Sequence, residues 1–189
     1  MPPFRVVIDA CVLYDAAVRD LLLRMGLVGI IEPIWSARIL DECFGALARS
    51  RPDITEAQRS RLRASMSRAF PRAAISATCG AVQLPDPDDA HVVGTAIAAD
   101  AGRIVTYNLA DCPATLLESV GVRAEHPDTL AHSLLEADPE TVVAALLDHA
   151  SALRKPPTTV ERLLLTLEAR GLGRFAARAR LQLPRCGPP

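Results

Sequence analysis

Strand-like and helical patterns alternate through the first two-thirds of this 189-residue chain. Short apolar runs at residues 5–9, 103–106 and 122–125, and a weaker one at 74–78, have the length of buried strands. Strands that alternate with helices form a parallel sheet covered by helices on both faces. We therefore predict an α/β fold with a central parallel sheet of about four to five strands.

Capping and breaking residues indicate where the helices begin and end. Ser36 is a suitable N-cap for a helix that Pro52 ends, and a further helix is predicted from Thr55 to Phe70. The other helices of this part are predicted over residues 11–25, 90–101 and 113–120. From residue 127 onward the pattern is helical only. We predict an α/β domain over residues 1–135 and a helical extension over residues 136–189.

The composition excludes several classes of protein. Net charge is −1, and Lys155 is the only lysine among 21 basic residues, so the positive charge is almost entirely arginine. The five cysteines include no C-x-x-C pair, which argues against a zinc site and favours buried thiols in a reducing compartment. With no signal-like start and no membrane-spanning apolar stretch, the sequence predicts a cytoplasmic protein.

Four acidic residues, far apart in the sequence, occupy positions that a parallel sheet can bring together. Asp9 ends the first strand, and Asp111 lies a few residues past the strand at 103–106. Asp89 starts the helix that leads into that strand, and Glu42 lies beside the apolar face of its helix. Ligands of parallel sheets bind beyond the carboxyl ends of the strands. Clustered carboxylates favour Mg²⁺ or Mn²⁺, and such an ion suits phosphodiester hydrolysis.

Each acid also has an ordinary interpretation. Asp86 and Asp88 are more typical of a turn than of a catalytic site. Asp41 and Glu42 flank the apolar stripe of their helix equally, so periodicity does not choose between them. We expect His91, one helical turn past the acidic segment, to be a surface residue. Each acid alone is a weak indication of function, and the evidence is the occurrence of all four acids in this order.

Four stretches in this order resemble the PIN-domain nucleases. They are residues 7–13 (VIDACVL), 36–42, 88–91 with the small-residue helix that follows, and 104–111 (IVTYNLAD). The sequence looks most like the VapC-type toxins of bacterial toxin–antitoxin pairs that carry a helical C-terminal extension. The resemblance implies a PIN-like fold, one or two Mg²⁺ or Mn²⁺ ions, and cleavage of structured RNA such as tRNA or rRNA. It also implies a cognate antitoxin and a homodimer.

The resemblance assigns roles position by position, with two departures. Ala10 follows the first acid, where the family often has Thr or Ser. Asn108 stands where the family usually has an acid in a Thr-x-Asp pattern, and Asp111 lies three residues later. We assign the catalytic and metal-binding roles to Asp9, Glu42, Asp89 and Asp111, with Asn108 as a weaker metal ligand.

Arginine-rich segments are candidates for RNA binding. Residues 49–72 contain seven arginines and only two acids. Phosphate contacts by such side chains supply affinity without reading sequence. A solvated helix face accounts for the segment equally well. The predicted RNA-binding residues are Arg49, Arg51, Arg59 and Arg63. A second basic run in the last helix is a candidate either for RNA or for an acidic or C-terminal stretch of an antitoxin; it contains Arg170, Arg174, Arg178 and Arg180.

Two other functions are compatible with parts of the pattern. A phosphatase with Asp9 as nucleophile usually has a second Asp two residues later, where this chain has Cys11. A binding module that has lost catalysis would explain Ala10 and Asn108. The nuclease hypothesis explains the whole set of acids and is preferred.

Overall fold

The computed structural model describes residues 4–76, 89–153 and 157–183. Four strands form one parallel sheet in the order β2-β1-β3-β4. The strands are β1 (Phe4–Ile8), β2 (Ile31–Ile34), β3 (Arg103–Val105) and β4 (Arg123–Glu125). The helices are α1 (Ala10–Tyr14), α2 (Ala16–Leu27), α3 (Ala37–Ser50), α4 (Glu56–Ala69), α5 (Ala90–Ala98), α6 (Ala114–Glu118), α7 (Pro127–Ala137), α8 (Pro139–Ala152), α9 (Val160–Ala169) and α10 (Gly173–Gln182).

Helices cover the sheet as predicted. Val6, Val7 and Ile8 are consecutive in β1, and each is 0 % exposed. Because successive side chains of a strand point to opposite faces, full burial of all three requires cover on both sides. The prediction of an α/β fold with a parallel sheet and helices around it is confirmed.

The second strand is the element that the sequence analysis missed. Pro33 interrupts the run Ile31–Ile34, and proline in a strand argues against that assignment because it lacks a backbone N–H. β2 lies at the edge of the sheet, where a missing donor is tolerated. Just after β2, Trp35 forms an isolated parallel bridge with Ala74. A strand was predicted over residues 74–78, and this bridge is the part of it found among the described residues. Residues 77 and 78 lie outside them.

The helix predicted over residues 11–25 is two helices. Asp15 ends α1 and caps α2, because its carboxylate accepts the N–H groups of Ala17 and Val18 at 3.1 and 3.3 Å. Periodicity continues across this break and does not reveal it. The predicted caps at Ser36 and Thr55 are confirmed: the Ser36 hydroxyl accepts the Ile39 N–H, and Thr55 forms a capping box.

The C-terminal helices complete the core. Leu130, Leu164 and Phe175 are fully buried in the same hydrophobic cluster as the sheet, and α2 packs against both α8 and α9. Asp128 is buried as well, and its Oδ1 accepts the Phe175 N–H at 2.9 Å. Within the described ranges, no helix is long and apolar enough to span a membrane. The division of the chain after residue 135 stays a prediction.

Candidate active site

The first acid of the candidate site is held between two neighbouring strand ends. Ile8 of β1 pairs with Val105 of β3, so Asp9 and Thr106 follow side by side. The buried Thr106 hydroxyl donates to Asp9 Oδ2 at 2.6 Å, and the Ala10 N–H donates to Oδ1 at 2.6 Å. The hydroxyl that Ala10 lacks is therefore supplied from the adjacent strand.

Cys11 is a site residue that the sequence analysis took only for a buried thiol. Its Sγ donates to Asp9 Oδ2 at 3.1 Å and accepts the Tyr107 N–H at 3.4 Å. Burial and then the charge of Asp9 raise the pKa of Cys11 to about 12, so it remains a protonated donor at neutral pH. Its position two residues after a strand-end acid, in the first turn of a helix, was the available signal.

Three of the predicted acids act electrostatically on Cys112. Burial and then the charges of Asp89, Asp9 and Asp111, in that order, together raise the pKa of this thiol to about 11. Asp111 reaches this region from a 3-10 turn (Leu109–Asp111) just after β3. In the described parts of the chain, neither Asp9 nor Asp111 forms an ion pair with Arg or Lys. Acids from three separate segments therefore act on one thiol.

Glu42 approaches the same region through His91. Glu42 Oε2 lies 3.1 Å from His91 Nε2, and its Oε1 accepts the Arg38 Nε–H at 3.0 Å. His91 lies two residues after Asp89 and is 8 % exposed, so the expectation of a surface histidine is wrong. It is buried because α5 packs against β1 and β3. The Glu42–His91 contact links α3 to the start of α5.

The alternative acid on α3 points elsewhere. Asp41 is exposed, and its Oδ1 accepts a hydrogen bond from Arg63 of α4 at 2.6 Å. Glu42 instead lines a groove of about 610 Å³ next to the first acid. We call this the site groove; its lining residues are Ala10, Cys11, Tyr14, Glu42, Cys43, Ala46, Arg49 and Ser50.

The four arginines predicted to bind RNA differ in their surroundings. Arg49 lines the site groove with Glu42. Arg51 is paired with Asp53, Arg59 with Glu56 and Arg63 with Asp41. Arg49 is thus the member of this set that lies beside the predicted catalytic acids.

The carboxylate site offers the ligands that Mg²⁺ and Mn²⁺ prefer, without a closed metal cage. Over the residues that the structure describes, no three His, Cys, Asp or Glu side chains form a group able to hold an ion by themselves. Among the residues with described positions, Asp9 Oδ1 accepts one hydrogen bond, from the Ala10 N–H, and it keeps acceptor capacity for a cation. Asn108, at the start of the 3-10 turn, donates its N–H to the Thr106 hydroxyl at 3.0 Å. The oxygen-rich donors fit a hard divalent ion that keeps several waters.

Comparison with known proteins identifies two segments. Residues 5–110 match the family model described as PIN domain, and residues 127–181 match the one described as VapC50 C-terminal domain. The first match covers more than half of the chain and includes three of the four predicted catalytic acids. No curated protein and no solved structure gives a significant match.

Proposed function

The chain belongs to the PIN-domain family, as a VapC-type nuclease with a C-terminal helical extension, and on this premise we propose that it is a Mg²⁺- or Mn²⁺-dependent endoribonuclease. The observation that carries the proposal is the position of Asp9, which lies at the paired ends of β1 and β3 and is held there by the Thr106 hydroxyl, beside the groove that Glu42 lines. The charges of Asp89 and Asp111 act with that of Asp9 on the neighbouring Cys112. Carboxylates that gather from separate segments of the chain favour a cation among them and suit phosphodiester hydrolysis. Structured RNA, such as tRNA or rRNA, is the proposed substrate.

Each side chain has a distinct role in this proposal. Asp9, Asp89 and Asp111 would hold the metal with Glu42, and the Asn108 amide would be a secondary ligand. When bound, the ion supplies an acidified water and positive charge next to the phosphate. Thr106 and Cys11 keep the Asp9 carboxylate in one orientation through their hydrogen bonds. His91 positions Glu42 at the edge of the site groove.

Charge-neutralising substitutions test the acid assignments. We expect Asp9→Asn, Asp89→Asn and Glu42→Gln to reduce Mg²⁺-dependent cleavage of RNA by at least about a hundredfold, because each removes a ligand charge while preserving shape. Asp41→Asn is the matched control on the same helix and should retain cleavage. Calorimetric titration with Mn²⁺ should give binding heat for the wild type and Asp41→Asn only. Full activity in both Asp9→Asn and Asp89→Asn would contradict the proposal.

The toxin role is a separate part of the proposal. VapC-type membership supports a cognate antitoxin, and we propose that the protein acts as a cytoplasmic toxin and forms a homodimer. Expression of the wild type should arrest growth, and Asp9→Asn should relieve the arrest. Co-expression of a small protein encoded immediately upstream should also restore growth and co-purify with the chain. Growth arrest that persists in Asp9→Asn would contradict toxicity by RNA cleavage.

A further inference from the structure

A second groove lies where the sheet domain meets the C-terminal helices. Its volume is about 460 Å³. The helices α2, α3 and α4 contribute six of its twelve lining residues, and Thr166 and Arg170 line it from the end of α9. Four of its charged lining residues are arginines and one is a carboxylate: Arg19, Arg51, Arg59, Arg170 and Asp15. We call it the arginine groove. A concave surface with an excess of one charge focuses the electrostatic field and attracts ions of opposite sign.

The arginine groove lies next to the site groove. Tyr14 lines both, and its hydroxyl lies 2.8 Å from the Ser50 hydroxyl. Ser50 lines the site groove, and Arg51, the next residue, lines the arginine groove. An extended ligand in the site groove would pass Tyr14 to reach Arg51 and Arg170, the exposed arginines of the second groove. Arg19 is only 7 % exposed and is bonded to Asp20 and to the Leu13 carbonyl.

The present partners of these arginines leave capacity for an anion. Arg170 is 60 % exposed at its side chain, and its Nε lies 3.4 Å from Asp15 Oδ2. Arg51 and its partner Asp53 are both more than half exposed. The Arg51–Asp53 pair is exposed on both sides and contributes little to stability, whereas Asp15, the partner of Arg170, is 13 % exposed at its side chain. A guanidinium has five N–H donors, so a phosphate can bind the donors of both arginines that these contacts leave open.

Arg59 differs because it is fixed in place. Its side chain is 14 % exposed and donates both to the Ile54 carbonyl and to Glu56. A guanidinium held in this way presents its charge to the groove without losing side-chain freedom when a ligand binds. The groove thus combines a fixed cation with two exposed ones.

We propose that the arginine groove binds the phosphate backbone of the RNA strand that extends from the active site, and that Arg170 is a contact contributed by the C-terminal helices. The inference rests on the proposed nuclease function. An acidic segment of a protein partner is the other anionic ligand to consider. The position of the arginine groove next to the site groove, with Tyr14 in the lining of both, favours the nucleic acid.

Binding of RNA in the absence of divalent ions tests this assignment separately from cleavage. Fluorescence anisotropy would use the full chain, EDTA and a labelled single-stranded RNA of about 12 nucleotides. This length is within the range that single-strand-binding domains cover. Arg170→Ala and Arg51→Ala should each raise Kd about threefold to tenfold and lower the log–log salt slope by about 0.7, the value for one phosphate contact on a single strand. Arg170→Lys should keep the wild-type slope. Arg123→Ala, in the edge strand β4 and outside the linings of both grooves, is the control for loss of one arginine and should leave Kd unchanged.

The possible results distinguish this inference from the proposed function. Unchanged Kd and salt slope in both groove variants would overturn the inference, while Mg²⁺-dependent cleavage by the wild type would leave the nuclease proposal standing. Arg170-dependent RNA binding without any cleavage would support the groove and refute the nuclease. If a polyglutamate peptide binds in an Arg170-dependent way and RNA does not, the groove is a protein-docking site and the inference is wrong. Unfolding midpoints equal to that of the wild type should accompany each comparison.

Discussion

Replacing Thr106 by valine removes one buried hydroxyl and keeps the shape of the side chain. That hydroxyl donates to the Asp9 carboxylate at 2.6 Å and accepts the Asn108 N–H at 3.0 Å. A hydrogen bond to a charged group contributes about 1.5–3 kcal/mol and one between neutral groups about 0.5–1.5 kcal/mol. Asp9 is only half-buried and keeps its bonds from Ala10 and Cys11, so water offsets part of the loss. We therefore expect the free energy of unfolding to fall by about 2 kcal/mol.

Urea unfolding with a serine control measures this hydroxyl contribution. Thr106→Ser keeps the hydroxyl and loses one buried methyl group, which costs about 1 kcal/mol. We expect RNA cleavage to fall about tenfold in Thr106→Val, equivalent to about 1.4 kcal/mol of transition-state stabilisation, and to change little in Thr106→Ser. In an Asp9→Asn background the valine substitution should cost less stability, because the charged acceptor is gone. Equal losses of stability in the valine and serine variants would refute the reasoning.

Three further predictions concern the C-terminal helices. Tyr107→Phe removes the hydroxyl that donates to the Arg170 carbonyl at 3.1 Å, so the free energy of unfolding should fall by about 1 kcal/mol in urea, whereas unchanged stability would contradict a role for this contact. Burial lowers the pKa of His149 to about 4, below its ordinary value of about 6.5, so the unfolded chain binds this proton more tightly. The contribution of neutral His149 to the free energy of unfolding is fully present above pH 6.5, and up to about 3 kcal/mol of it is lost as the pH falls towards 4. Denaturation measured between pH 7 and 4 should therefore show a smaller loss of stability in His149→Leu than in the wild type. Asp128→Ala should lower the thermal midpoint and cost about 1–3 kcal/mol, because it leaves the buried Phe175 N–H without its acceptor, and Asp138→Ala at an exposed helix cap should cost less.

Local signals were sufficient for most secondary structure. Ser36 and Thr55 cap their helices through hydrogen bonds to residues only three positions away. The run Val6–Ile8 is apolar at every position, as a strand buried on both faces must be. Secondary structure was predicted wrongly where the tertiary structure overrides a local sequence signal or where the signal itself is missing. Pro33 is accepted because β2 lies at the edge of the sheet, and the break at Asp15 leaves the apolar periodicity unchanged.

The candidate site required knowledge of which segments are neighbours. The helical positions of Asp41 and Glu42 are equivalent relative to the apolar stripe, but one side chain contacts Arg63 and the other lies next to His91. Those partners belong to α4 and α5, and no spacing within α3 encodes their positions. For the same reason, the burial of His91 was not predictable from its place one turn past an acidic segment.

The sequence by itself determined that Asp9 stands at the end of a buried strand, and it determined the order of the helices that follow. It could do so because the spacing of apolar residues and the capping of helices act over only a few residues. Only the tertiary structure decided that β3 lies next to β1, and this adjacency brings Thr106 and the Asp111 turn to Asp9. Strand order depends on how whole faces pack against one another. The arginine groove has the same origin, because Arg51 and Arg170 become neighbours only when α9 packs on α2.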